Sequence, residues 1–357
     1  MKTPSAFIIG AAKQQDKLGS LEQVLSLESQ LLQNGITPKH LVIEPLQADW
    51  HSPEKEHHYR SGCAPIEALA EAKKLIEKGE AAVVISGKDF IKTGYSREER
   101  LKKMAVYGQS YPLTQAYTDL AHAFSRNQNI TTQQFKEFAS ALFDNYQTSF
   151  RSTLIDDFTP ESLPDLRWHE PITDLFRGID CANPMVDFSG RLLLTRADVA
   201  EQLGVDKSQW LKVKAVGLSR LDGDGQAFLK EISQYEHLKQ AYQQACDEAD
   251  INFAHLFKNG NALLEAYTCY PVVPMAFLLV SGLVNTLEDI PDFLEKHSIT
   301  ITGGMNLAKA AWNNPALNAL ILMHHRLCNG QENLGLVHGN GGLGYRQGVA
   351  IVECANV

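Results

Sequence analysis

The chain has 357 residues, 44% hydrophobic and 21% charged, with a formal net charge of -9. That length holds two domains or one duplicated domain and buries a large core, while the negative balance argues against nucleic acid or an anionic membrane as the main partner. No apolar run reaches the length of a membrane span, and the six cysteines (63, 181, 246, 269, 328 and 354) show neither CxxC pairing nor zinc spacing, so no metal site is indicated and the reducing cytoplasm is the expected compartment.

Residues 7–11 read as a first strand rather than a signal peptide. Residues 21–32 read as a helix stopping at Asn34-Gly35, and residues 40–44 as a second strand. Next comes the most informative stretch, Tyr59-Arg60-Ser61-Gly62-Cys63-Ala64-Pro65-Ile66. Pro65 suits a first helical turn. Ile66, Leu69, Ala72, Leu75 and Ile76 then recur at helical spacing until Gly79 stops the run. Cys63 therefore stands at the positive end of a helix dipole, which favours thiolate and makes it a candidate nucleophile for a thioester carbonyl. A free cysteine is also among the most buried residue types, so a packed thiol stays open as an alternative.

Residues 81–86 form a strand, and the alternation of strand and helix predicts a parallel or mixed sheet covered on both faces. Residues 105–167 are helical and polar with aromatic anchors, with a helix capped by Thr131 or Thr132, and read as an inserted subdomain. The basic residues Lys73, Lys74, Arg97, Arg100, Lys102 and Lys103 are candidates for a phosphorylated ligand or simply a solvated face. Alternation resumes with strands at 191–195 and 211–221, a long helix at 231–249, and a strand at 263–267 leading to Cys269. Cys269, before an apolar helix, repeats the setting of Cys63, and a packed thiol is again the alternative. Near the end, Gly303-Gly304 forms a turn after a strand. Four glycines in six residues at 339–344 form another turn, between two strands. His338 is a candidate general base and Asn340 an oxyanion donor, and a structural histidine is the alternative.

Together these pieces resemble the thiolase superfamily, in particular the divergent acetyl-CoA acetyltransferases and sterol-carrier-type thiolases. Ser61-Gly62-Cys63-Ala64 is similar to the nucleophile segment, Tyr267-Thr268-Cys269-Tyr270-Pro271 to the His-Asp-Cys-Phe or Tyr-Ser-Cys-Phe-Pro element, and His338-Gly339-Asn340-Gly341-Gly342 to the last active-site loop. The resemblance implies an α/β thiolase fold of duplicated βαβαβαββ halves in a layered αβαβα arrangement. The halves would span 1–205, with a helical loop subdomain at about 105–170, and 206–357. It implies ping-pong acyl transfer between coenzyme A thioesters, with Cys63 acylated, Cys269 handling a proton, and His338 in the final loop. Asn340, Gly341, Gly342, Gly304, Met305 and Tyr267 would surround the substrate, and N–H groups of Cys63 and the Gly341 region would hold thioester oxygens. No cofactor is bound, acyl-CoA is the partner molecule, and a homodimer or tetramer is expected. The chain departs from the family where Gly304-Met305-Asn306 replaces Gly-His-Pro, removing the activating imidazole. That loss opens two other readings: a non-catalytic acyl-CoA-binding or scaffold subunit, and a condensing enzyme of the ketoacyl-synthase type.

Overall fold

The computed structural model describes residues 4–51, 55–153 and 163–355. The first part of the chain contributes β1 (Phe7–Gln15), β2 (Leu18–Gly19), β3 (Lys39–Ile43), β4 (His58–Tyr59), β5 (Ala82–Phe90) and β6 (Asp187–Thr195). The second contributes β7 (Leu211–Arg220), β8 (Leu263–Glu265), β9 (Leu334–Gly341) and β10 (Arg346–Cys354). Their order is β4-β3-β5-β6-β1-β7-β10-β9-β8, with β2 beside β1. β3 runs parallel to β5 as β8 does to β9, and the pairs β5–β6 and β6–β1 are antiparallel as β9–β10 and β10–β7 are. Apart from the two-residue strands β2 and β4, the second set repeats the first, with β7, β8, β9 and β10 in the places of β1, β3, β5 and β6. The unit the halves have in common is β-α-β-α-β-β. They join where Phe7 faces Lys212 and Ile8 faces Leu211.

The helices Ala64–Glu77 and Pro315–Asn329 both pack against strands of both half-sheets, so they form a middle layer. Helix Glu22–Gln33 covers β1 and β6 from outside, and helix Glu236–Ala249 covers β7 and β10. The layering is α/β/α/β/α. Side-chain alternation along each strand builds it. In β5, Val83 and Ile85 point into the middle core while Ala82 and Val84 point to the outer one with Val24 and Leu31. In β10, Ala350 and Val352 face the middle layer, and Val349 and Ile351 the outer face of the second half.

The inserted segment forms helices Leu113–Gln128 and Thr132–Thr153, whose apolar faces join the outer core of the second half. Thr131 and Gln134 cap the latter reciprocally, at 3.2 and 2.9 Å. The part of the expected insertion at 154–162 lies outside the described residues. Three local readings differ from expectation. The helix at 231–249 is two, Leu229–Ile232 and Glu236–Ala249, because Tyr235 turns left-handed (φ 54°) to bury its ring edge-on against Phe124. Residues before Gly303 are not a strand: the Glu265 carboxylate accepts from the N–H groups of Ile301 (2.7 Å) and Thr302 (3.0 Å) and from the Thr302 hydroxyl (2.6 Å). The glycine-rich segment is not all turn, for β9 runs through Gly341 and pairs fully with β10.

Candidate active site

Cys63 is the residue before the helix Ala64–Glu77, as the Gly-Cys-Ala-Pro pattern predicts, yet its side chain makes no capping hydrogen bond to that helix. The donors of the first turn are already used. Ala64 N–H donates to the Ser61 carbonyl, Ile66 and Glu67 N–H to the Cys63 carbonyl, and Pro65 has none. The Cys63 N–H itself donates to Ser61 Oγ at 3.2 Å, so it is not an open oxyanion donor. The side chain packs on the inner face of the β9–β10 ribbon and is 1% exposed. A β-carbon at Gly348 would lie 2.8 Å from its sulfur, and one at Gly341 3.2 Å from its Cβ. Burial pushes the thiol well above its ordinary value, Glu67 adds to this, and Arg346 opposes it. Desolvation thus works against the thiolate that the place before the helix is expected to favour.

Cys269 is buried too, but beside a hollow. It lines a largely apolar cavity of about 230 Å³ bounded also by Trp50, Leu113, Tyr117, Tyr267, Met305 and Trp312. Cys63 does not line this cavity, although its neighbour Gly62 does. A side chain at Gly62 would collide with the Tyr267 hydroxyl and the Asn340 carbonyl, so glycine there lets the phenol lie over the backbone. Among the described residues the Tyr267 hydroxyl has no hydrogen-bond partner. The Cys269 thiol donates to Tyr117 Oη at 3.4 Å, and Tyr117 stacks on Tyr270 with centroids 4.0 Å apart. Burial pushes the Cys269 thiol up to about 12, against the pull of the Tyr117 hydroxyl and nearby backbone N–H groups.

His338 and Asn340 lie within β9, on the face opposite Cys63. His338 is sealed (1% exposed) and stacked on Phe277. Its Nδ1 accepts from the Tyr267 N–H (3.4 Å) and its Nε2 donates to Gln347 Oε1 (2.8 Å). Burial lowers it to about 4, so it is a neutral imidazole with both nitrogens engaged and does not line the cavity. Asn340 does line it, and its Nδ2 donates to Tyr117 Oη at 3.3 Å. Gly342 contributes the carbonyl that accepts from the Tyr117 hydroxyl (2.8 Å), while Gly341 sits over Ser61 and Cys63 on the other face. Met305 puts an apolar side chain in the cavity wall, its N–H donating to Thr268 Oγ1 (2.9 Å), and Gly304 packs against the Tyr146 ring.

The structure thus brings Tyr267, Cys269, Asn340, Gly342 and Met305 together and leaves Cys63 and His338 behind the wall. Sequence reading missed Tyr117, noted only as part of an amphipathic helix face, and Gln347. A polar residue ahead of the apolar run 348–352 was the available signal for the latter. Of the basic candidates, Lys73 pairs with Glu77 (2.6 Å) and Glu248 (2.7 Å) and Lys74 with Glu71 (3.0 Å). Arg97 and Lys102 project from the short helix Arg97–Met104, whose Met104 reaches the cavity. No helix among the described residues is long and apolar enough to cross a membrane.

These features define a thiolase-fold protein, and comparison with solved structures bears on the fold alone. The whole chain matches 79% of a monomeric SCP2-thiolase like protein type 1 from Mycobacterium smegmatis, with TM-score 0.68 at 15% identity. It also matches, over 99% of its length, the full length of a chain described as the Ltp2-ChsH2(DUF35) aldolase, with TM-score 0.65 at 14% identity. No family model and no curated protein matches the sequence.

Proposed function

We propose that this thiolase-fold chain binds the acyl part of a coenzyme A thioester in the Tyr267–Cys269 cavity and makes or breaks the carbon–carbon bond next to the bound carbonyl. The observation that carries this reading is the unpaired Tyr267 hydroxyl, held over Gly62 and facing an apolar hollow beside Cys269. A donor so placed would hold a thioester carbonyl. When the Cα–Cβ bond of a 3-hydroxyacyl thioester breaks, the Cβ hydroxyl gives its proton to solvent and becomes a carbonyl, the bond's electron pair moves onto the thioester carbonyl, and the resulting enolate oxygen is stabilised by the phenol. Cys269 then delivers its thiol proton to Cα, or takes one in the reverse direction. At about 230 Å³ the hollow exceeds the roughly 150 Å³ that houses a benzene ring, so acyl groups larger than acetyl are expected. Arg97 and Lys102 are the candidate partners for the coenzyme's phosphates.

Acyl transfer through Cys63 is not favoured, since the sulfur is packed against Gly348 on the far face of the ribbon. A second reading, binding without turnover, is favoured by Met305 standing where the family places an imidazole. A homodimeric state belongs to the same proposal and is checked by sedimentation. The deciding experiment offers a panel of 3-hydroxyacyl-CoA thioesters, with 3-oxoacyl-CoA thioesters plus free coenzyme A as the arm that probes the ping-pong route, and follows their cleavage by chromatography, with intact mass recorded alongside. The expected result is turnover that survives Cys63→Ala within a few-fold and falls about 100- to 1000-fold in Tyr267→Phe. An acyl adduct on Cys63, with activity lost in Cys63→Ala, would restore the ping-pong route. Saturable binding with no cleavage selects the second reading.

A further inference from the structure

Behind the cavity wall a buried chain of hydrogen bonds has its direction set at both ends by backbone groups. It begins at the Tyr267 N–H, which can only donate, so the His338 Nδ1 that meets it is unprotonated and Nε2 carries the hydrogen. Nε2 therefore donates, and the Gln347 atom 2.8 Å away is the amide oxygen. The Gln347 NH2 then donates to Asn340 Oδ1 (2.7 Å) and to the Gly344 carbonyl (2.8 Å), an acceptor that independently confirms the orientation. With its oxygen so occupied, Asn340 turns its NH2 to Tyr117 Oη (3.3 Å). The Tyr117 hydrogen goes to the Gly342 carbonyl (2.8 Å), leaving the phenol oxygen as acceptor for the Cys269 thiol (3.4 Å). Gln347 is the hub: it is 0% exposed, faces Asn340 across the ribbon, and uses both ends of its amide.

We propose that Gln347 is a positioning residue for Cys269: by holding the Asn340 amide with its NH2 toward Tyr117, it keeps the Tyr117 hydrogen available to swing from the Gly342 carbonyl onto the sulfur once the thiol has given up its proton. In that step the S–H bond breaks, the proton passes to a ligand carbon or to solvent, and the electron pair stays on sulfur. The sulfur is then stabilised by the Tyr117 hydroxyl, while Asn340 still donates to the phenol oxygen. With the Asn340 amide reversed, its oxygen would capture the Tyr117 hydrogen and the sulfur would lose that donor. The titratable groups facing Cys269 are Tyr117, Tyr267, Tyr270, Tyr146, Cys181 and Tyr235. The burial that raises Cys269 also raises each of them, so in the working range they face it as neutral groups. The inference bears on the thiol that the proposed reaction uses, but its test involves no thioester, so either can fail without the other.

The test measures carbamidomethylation of Cys269 by iodoacetamide in the full chain, resolved by peptide mass mapping, from about pH 8 to about pH 11. Gln347→Met keeps length and removes the amide. Gln347→Glu places an acceptor opposite Asn340 and reverses its amide. Tyr117→Phe removes the donor itself. Each is expected to slow labelling about tenfold at a given pH, a shift of roughly one pH unit in the profile. In the Tyr117→Phe background Gln347→Met should add nothing. A purely structural role for Gln347 would lower Tm and leave the profile in place. An unshifted profile in either folded Gln347 variant overturns the proposal. If neither folds, the Tyr117→Phe profile decides, and no slowing there overturns it equally.

Discussion

Two cysteines in this chain follow a strand and precede a helix in closely similar local sequence: Cys63 before Ala64–Glu77, Cys269 before Val272–Val280. The first belongs with Val337 and Ala350 to the core between the half-sheets, the second with Leu336 and Val349 to the outer core. They therefore lie on the two faces of the β9–β10 ribbon. On the inner face glycine lets the ribbon close on the sulfur, while on the outer face Asn340 and Tyr117 hold a polar edge to a cavity. The contrast teaches that a place before a helix does not by itself fix a thiol's surroundings, since burial raises both sulfurs and only the long-range packing decides which of them borders a cavity.

The sharpest way to break this comparison is chemical access. A small thiol reagent is expected to modify Cys269 about a thousandfold faster than Cys63, because reaching Cys63 requires the ribbon to open. The partly exposed Cys328 and Cys354 supply internal references in the same digest. Equal rates at positions 63 and 269 would mean that Cys63 communicates with the cavity.

The difference between the two sites was only half legible in the sequence. Pro65, Gly79 and the spacing of Ile66, Leu69 and Ile76 determine where the first helix begins and ends, and these are local effects. Which way the Cys63 side chain points is decided by Gly348, nearly three hundred residues away, through a register that no local pattern encodes. The glycines at 339 and 341 read as a turn because turns commonly use glycine. Here they serve the close approach of a strand to a helix: a β-carbon at Gly339 would lie 2.8 Å from an Ile66 side-chain carbon. The layered fold survived these misreadings because strand–helix alternation and two-sided apolar strands are properties of long segments.

His338 offers a test of the outer face through acid. Its imidazole is held at about 4, below the ordinary 6.5, so the folded state favours the neutral form. The stability this contributes is fully present above about pH 6.5 and is lost as the pH falls through about 4. It amounts to up to about 3 kcal/mol. His338→Gln can still accept from the Tyr267 N–H and donate to Gln347. Its denaturation midpoint should therefore lose less between pH 6.5 and pH 4 than that of the parent chain. Parallel pH profiles for the two proteins would show that His338 is protonated without cost and that the outer face is more open than described.

The smallest expected effect probes the inner face. Gly348→Ala would set its β-carbon 2.8 Å from the Cys63 sulfur and 2.8 Å from Ile66 Cγ2, closer than such atoms pack. The expected cost in urea denaturation is about 2 kcal/mol. Cys63→Ala alone removes one buried sulfur and should cost about 1 kcal/mol. Combined, the two changes should cost less than their sum by about 1 kcal/mol, since the alanine methyl then occupies part of the space the sulfur leaves. The rescue is incomplete because Ile66 still crowds the new methyl. Strict additivity would place the sulfur elsewhere, turned off the ribbon and toward Gly62. In that event the comparison between the two cysteines dissolves, and Cys63 returns as the nucleophile that its position before the helix suggests.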